Sequence, residues 1–380
     1  MLGNPCLLWT NGTRSAPSAG SWRWSNHKGK GKPQARLAGR AQPHNRTFHP
    51  NPLTALNNPE KRQPIVDCIY IAASELDARF TRICIASVRY FYPEVPIRLL
   101  SGGRLQRGLA AELRQYWGIR IADVPAGDYG WGYVKLEPLF GPPGERFLIL
   151  DSDTALTGSI LDAWKDCDAP FLVDNEQYSE SNIRARYYDW RKVVEIDPEA
   201  QPPLFVFNSG QWLGTAGMLT REDFGPWLEW TFPRRLRYPE YFFPGDQGIL
   251  NYVLNRKAML DGLRIECRKI MRWAGHGLEG LDAKTVSARA AIPLIVHWAG
   301  MKKMRHRDMV GADLLSYFEQ IYYQRLPGAV VRRMLAAWQN ALVHRRHRLE
   351  VRMRLSTRRF IVAPLAKVSR QLTNRHCSIR

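Results

Sequence analysis

The sequence is poor in several features that would tie it to common classes. Its six cysteines (Cys6, Cys68, Cys84, Cys167, Cys267 and Cys377) are scattered, and no two are spaced as Cys-x-x-Cys. That excludes a zinc ribbon and a dense disulfide framework. Cys68 and Cys84 fall on apolar positions of an expected strand and helix, so they read as small buried hydrophobes of a reducing compartment. No apolar run approaches the ~20 residues that span a bilayer. The opening MLGNPCLLWTNG lacks the charged start and long apolar stretch of a secretory signal. The sequons at Asn11 and Asn45 accordingly read as chance. There are no internal repeats. Acidic residues are nearly missing from both ends.

Residues 1–62 carry ten Lys/Arg and a single acid, Glu60, and residues 325–380 carry fourteen and a single acid, Glu350. The net charge of +20 is therefore +9 and +13 at the ends, leaving −2 for residues 63–324. A near-neutral body argues against specific nucleic-acid binding, and basic ends suit an anionic surface. Residues 1–62, rich in Gly, Ser, Pro and Asn without periodicity, are expected to be a disordered basic extension. The division is then a tail to residue 62, a folded body over 63–324 and a basic C-terminal section over 325–380.

The body alternates strand and helix patterns. IVDCIYIAAS from Ile65 reads as a buried strand ending in small residues. Phe80, Ile83, Cys84, Val88 and Phe91 recur at helical spacing until Pro93. Strands are expected at 96–101, 119–124, 147–150, 170–173, 204–214 and 293–300. Helices are expected over Leu105–Trp117, Val134–Phe140, Ile160–Trp164 and Glu222–Phe232, and from Asp246 to about Asn255. Residues 174–203 read as a long polar-aromatic loop. This alternation predicts an α/β chain with a three-layer, mostly parallel sheet. Beyond it, Val331, Leu335, Trp338, Leu342, Leu349 and Met353 form an apolar stripe among arginines. A basic amphipathic helix lying on an anionic membrane and a helix docked on the body with a solvated Arg face both fit this pattern.

The chain is organised around ERFLILDSDT (145–154). Phe147 to Leu150 form the apolar run of a strand buried on both faces, and Asp151 and Asp153 stand at its carboxyl end. Two carboxylates there suit a hard divalent cation that also holds phosphates. Such a pair also begins turns and caps helices.

Five features follow in order: Ala72-Ala73-Ser74-Glu75 ending the first strand, Lys135-Leu136, LDSD, FNSG with a downstream Asp246-Gln247, and HWAGMKK from His297. Their order and spacing resemble the family 8 glycosyltransferases of the GT-A fold, the group containing glycogenin and bacterial lipopolysaccharide galactosyltransferases. The resemblance spans about Ile65 to Met304. It implies that Asp151, Asp153 and His297 hold Mn²⁺ (or Mg²⁺). It implies that Ala72, Ala73, Asp151, Ser152, Asn208, Gly300 and Lys303 bind a nucleotide-sugar donor, with Gly300 and Lys303 at the diphosphate. Lys135, Asp246 and Gln247 would then act at the donor hexose, Gln247 nearest the anomeric carbon.

The residue types suit that chemistry on their own account. A diphosphate leaving group develops negative charge, which a divalent ion and lysine stabilise. A histidine nitrogen beside carboxylates favours Mn²⁺ over Ca²⁺. Each residue also has a structural reading: His297 as a core histidine, Asp246 as a helix cap, Lys135 as a solvated helix residue, Asn208 as a turn closer. Two departures stand out. Ser74-Glu75 occupies the place of an Asp-Asp or Thr/Asn pair, and Met304 rather than Pro-Trp follows Lys303. The expectation is a retaining, metal-dependent transferase of a hexose, UDP-linked, acting on a glycan or lipid-linked acceptor. It would sit peripherally on the cytoplasmic membrane face through its C-terminal section. The alternatives are a haloacid-dehalogenase-like phosphohydrolase using Asp151, whose motif departs here at Ala155, and an inactive scaffold of the same fold.

Overall fold

The computed structural model describes residues 65–176, 178–302 and 304–357. The N-terminal basic segment, Lys303 and the chain beyond residue 357 lie outside the described residues. The strands are β1 (Cys68–Ala73), β2 (Ile97–Ser101), β3 (Arg120–Ile121), β4 (Arg146–Asp151), β5 (Thr154–Leu156), β6 (Phe171–Asp174), β7 (Gln211–Thr215), β8 (Leu228–Glu229), β9 (Arg235–Leu236), β10 (Ile265–Arg268), β11 (Met271–Trp273) and β12 (Ile295–His297). The helices are α1 (Ala78–Phe91), α2 (Leu109–Trp117), α3 (Ile160–Ala163), α4 (Glu180–Arg186), α5 (Trp190–Val193), α6 (Arg221–Phe224), α7 (Asp246–Leu260), α8 (Ala283–Ser287), α9 (Ala312–Gln324) and α10 (Ala329–Thr357).

The main sheet runs in the order β10-β6-β7-β4-β1-β2-β3. Its pairs are parallel except those of β7, which is antiparallel to both β4 and β6. A smaller sheet, β11-β12-β5, lies beside it. The apolar run of β4 is fully buried and splits by alternation. Leu148 and Leu150 join the core under α1, α2 and α9, while Phe147 and Ile149 join the core under residues 133–140 and α7. A strand covered on both faces needs such a run, each side chain contributing about 1.5–3 kcal/mol on burial. The expected α/β class with a mostly parallel sheet is the one observed.

Four local expectations differ from the structure. Residues 174–203 are not loop throughout. They hold α4 and α5, with Tyr187, Tyr188 and Val193 buried. These helices are seven and four residues long, too short for a 3.6-residue period to show. The segment 204–210 is not strand: the backbone of 204, 205 and 207 bonds instead to two side chains of α7. Asn251 holds Phe207 at both its N–H and C=O (2.9 Å each), and Asn255 accepts from Leu204 N (2.7 Å) and donates to Phe205 O (2.9 Å). The helix expected over 222–232 stops after Phe224, at Gly225-Pro226, and the chain enters the β8–β9 hairpin. The strand expected over 119–124 is only the two residues of β3.

At the end of the body α9 packs on α1, burying Leu314, Leu315, Phe318 and Tyr322. α10 lies against α1, α9 and the turn 75–77. It is pinned where Arg332 Nη2 donates to Tyr116 Oη (3.1 Å) and Arg333 Nη2 to Glu319 Oε2 (3.0 Å). The apolar stripe points outward: Val331, Leu335, Trp338, Leu342 and Leu349 are 43–63% exposed. Among the described residues, no helix is long and apolar enough to cross a membrane.

Candidate metal centre

β1 and β4 run parallel with Ala72 opposite Asp151, and the Ala72 carbonyl accepts from Ser152 N (3.1 Å). The buried Ala73 follows, so both small residues border the acidic turn. The chain leaves the main sheet at Asp151 and joins the smaller one at Thr154, which sits opposite His297 on antiparallel β12. Thr154 Oγ1 donates to Asp151 O (2.7 Å), and Trp298 N donates to Asp153 O (2.9 Å). The junction of two sheets thus brings Asp151 and Asp153 to His297. His297 Nε2 lies 3.3 Å from Asp153 Oδ1 and 4.0 Å from Asp151 Oδ2. Asp151, Asp153 and His297 each offer one donor atom, all within 4.8 Å of one another.

Two lysines take the remaining oxygens. Lys135 Nζ is 3.1 Å from Asp151 Oδ1 and 3.0 Å from Asp246 Oδ2, and also donates to Ser209 O (3.1 Å). Lys302 Nζ is 3.4 Å from Asp153 Oδ2 and 3.0 Å from Asp77 Oδ1. Four carboxylates and two ammonium groups leave an excess of two negative charges, which one divalent cation neutralises. Burial works against the charge of Asp153, yet Lys302 and then His297 hold its carboxyl well below the ordinary range. Lys135 is buried, which lowers its affinity for a proton, but Asp151 and Asp246 together hold it above the usual lysine value. Asp246 goes the other way: burial pushes its pKa up to about 6 against the pull of Lys135. One ammonium shared by two carboxylates is doubly stabilised, while the more buried carboxylate remains undercompensated.

The residues present fit a divalent ion. Asp153 Oδ1 is buried, and among the described residues its near neighbour is His297 Nε2 at 3.3 Å, with no fully formed hydrogen bond. Gly210 closes the cradle: a Cβ there would stand 2.5 Å from His297 Cε1, 2.6 Å from Asn208 Oδ1 and 2.8 Å from Asp151 Oδ2. Two oxygens and a nitrogen suit Mn²⁺ better than Ca²⁺.

The ring of His297 is oriented by stacking. Trp273 lies on it at 5.0 Å and 19°, while His297 Nδ1 is buried without a hydrogen-bond partner among the described residues. Trp273 is held in turn, its Nε1 donating to Glu176 Oε1 (2.8 Å), and Tyr187 donates to the other oxygen (2.7 Å). The segment 174–203, expected to be a loop, therefore backs the histidine through Glu176 and Tyr187.

On the side of Lys135, Gly210 N donates to Asn208 Oδ1 (2.8 Å), Asn208 Nδ2 to Gln247 Oε1 (2.8 Å) and Gln247 Nε2 to Arg186 O (2.9 Å). Asp246 opens α7 and packs so closely on the loop before Lys135 that a Cβ at Gly132 would fall on its Oδ1. Gly300, at φ 77°, turns the chain beyond β12, with Met301 N bonded to Trp298 O (3.0 Å). This turn brings Lys302 onto Asp153.

All the expected site residues among the described ones gather here. Sequence reasoning missed Lys302, Asp77, Trp273 and Glu176. Lys302 had a signal, as half of the Lys-Lys pair, but the other three had none.

No protein-family model and no curated protein matches this chain. Solved structures of similar shape include the galactosyltransferase LgtC in complex with donor and acceptor sugar analogues. It is 17% identical, covers 68% of this chain and 96% of its own, and gives a TM-score of 0.44. The bifunctional glycosyltransferase WbbM is 14% identical, over 70% of this chain and 50% of its own, with a TM-score of 0.42. The glycosyltransferase GlyE in Streptococcus pneumoniae is 15% identical, over 70% and 62%, with a TM-score of 0.41. These are likenesses of shape, and the chemistry proposed below is read from the side chains.

Proposed function

We propose that this chain is a metal-dependent glycosyltransferase that moves a hexose from a UDP-sugar to a glycan or lipid-linked acceptor with retention at the anomeric carbon. The observation that carries the reading is the three-point donor set of Asp151, Asp153 and His297 at the carboxyl end of β4, beside a polar network of Asn208, Asp246 and Gln247. Mn²⁺ or Mg²⁺ held by Asp151, Asp153 and His297 supplies the charge that a departing diphosphate requires. Lys135 holds Asp151 by Oδ1 and leaves Oδ2 toward His297. Asn208 and Gln247 lock each other amide to amide, which gives hydroxyl groups of a hexose partners of fixed direction. Asp246 is tied to Lys135 and not set out as a nucleophile, which agrees with front-face transfer in which a donor phosphate oxygen takes the acceptor proton.

The test is calorimetric titration of UDP-glucose and UDP-galactose into the protein with Mn²⁺ and with EDTA. Binding is expected with Mn²⁺ alone, and not in Asp153→Ala. A folded protein that binds Mn²⁺ and gives no heat with either donor would sink the UDP-hexose reading. Phosphatase activity lost in Asp151→Asn would favour the phosphohydrolase.

The same proposal places the protein on the cytoplasmic face of an anionic membrane. The outward stripe of α10, with Trp338 63% exposed among arginines, supports this. Sedimentation with phosphatidylserine vesicles should fall in the double substitution Leu335→Asp, Trp338→Asp. Equal sedimentation of variant and wild type would refute membrane docking through α10.

A further inference from the structure

We infer that Lys302, tethered by Asp77, biases which divalent ion the site takes, by engaging one of the two oxygens of Asp153 and disfavouring its use as a second ligand. This rests on the reading of Asp151, Asp153 and His297 as the donor set. In that set each aspartate presents one oxygen to His297 and has a lysine on the other. Lys135 takes Asp151 Oδ1 at 3.1 Å, leaving Oδ2 toward His297. Lys302 takes Asp153 Oδ2 at 3.4 Å, leaving Oδ1.

The two lysines are held differently. Lys135 is buried and shared by Asp151, Asp246 and Ser209. Lys302 is partly exposed and has one other anchor, Asp77 Oδ1 at 3.0 Å. That anchor is itself fixed, because Ser74 Oγ donates to Asp77 Oδ2 (2.7 Å) and Asp77 N to Ser74 O (3.1 Å). Lys302 therefore meets Asp153 from a set direction.

An ammonium group paired with one oxygen of a carboxylate weakens that oxygen as a ligand and disfavours chelation of an ion through both. Ca²⁺ takes six to eight oxygens and readily accepts bidentate carboxylates, whereas the small octahedral ions take single oxygens. Two single oxygens and one imidazole nitrogen favour Mn²⁺ over both Ca²⁺ and Mg²⁺. In this chain the filter against Ca²⁺ is a lysine outside the donor set.

The experiment measures Mn²⁺ affinity from the paramagnetic resonance of free Mn²⁺, and Ca²⁺ affinity by displacement, in the full-length protein. The ratio of the two is the readout, because removing one positive charge strengthens the binding of both divalent ions alike and cancels in it. Lys302→Met should lower the preference for Mn²⁺ over Ca²⁺ about tenfold, the scale on which residues behind a ligand act. Lys302→Arg should keep it, and Asp77→Asn should lower it by less. Lys302→Gln provides the same reading should the Met variant fail to fold. Both affinities rising together at an unchanged ratio would overturn the inference, leaving Lys302 a mere counter-charge. If wild type bound neither ion, the donor-set reading itself would fall, and that outcome is separate from the first.

Discussion

Replacing Gly210 by alanine should injure the metal centre through a single methyl group. Gly210 lies outside the left-handed backbone region, so alanine brings no conformational strain there. The effect is crowding alone. The new carbon meets His297 Cε1 at 2.5 Å, Asn208 Oδ1 at 2.6 Å and Asp151 Oδ2 at 2.8 Å. None of these distances is tolerable for a Cβ, and none of the three neighbours is a free chain end. Gly210 O also accepts Asp151 N at 2.6 Å, so moving the strand away would disturb the same aspartate. Overpacking of this sort costs about 1–3 kcal/mol. Two of the three displaced groups belong to the donor set, which tolerates roughly 0.5 Å of displacement. Mn²⁺ affinity should therefore fall about 10–100-fold, or about 1.4–2.7 kcal/mol.

Gly214→Ala, four residues on within β7, is the control. Its Cβ would stand 2.6 Å from Trp212 Cζ3 and 3.0 Å from Phe147 Cζ, deep in the core. It should lose comparable stability while Mn²⁺ affinity stays within about twofold, as for distant sites without shared partners. Calorimetry with Mn²⁺ and thermal melting in EDTA separate the two effects. Wild-type Mn²⁺ affinity in Gly210→Ala would refute the cradle, and an equal loss in both variants would show that core crowding, not the cradle, governs affinity.

Two further substitutions probe the groups behind the ligands. Burial raises the pKa of Asp246 to about 6, so between pH 4 and 6 the folded chain holds a proton there that the unfolded chain has lost. Stability from this group is then present at low pH and declines as pH rises to about 6, and Asp246→Asn, permanently neutral, should gain on wild type by up to about 3 kcal/mol over that window. Urea unfolding at both pH values checks this, and a pH-independent difference would contradict it. Trp273→Leu removes the stack on His297 and the bond to Glu176. Mn²⁺ affinity should drop about tenfold, with most of it recovered in Trp273→Phe, which keeps a ring on the imidazole. Equal affinities in the two variants would mean that the ring does not orient the histidine.

Much of this was legible in residue order because it depends on local pattern. The run Phe147–Leu150 suits a strand covered on both faces, and Asp151 and Asp153 follow it directly. His297 likewise ends a short apolar run. Small side chains at Ala72 and Ala73 marked the neighbouring strand end. Gly225-Pro226 is a helix stop legible in the sequence, lying inside the stretch 222–232 whose apolar spacing suggests a helix. Tertiary structure decided what depends on contact between distant segments. The backbone of 204–207 carries strand-forming residues, but two asparagines on α7 supply its hydrogen bonds and take it out of the sheet. Tyr187 and Tyr188 lie between two helices too short to show a period, and burial turned an expected loop into the support of Trp273. Asp77, Glu176 and Trp273 are ordinary residues in their own surroundings. They reach the site because two sheets meet at Asp151 and Asp153, bringing together residues that no spacing in the chain could relate.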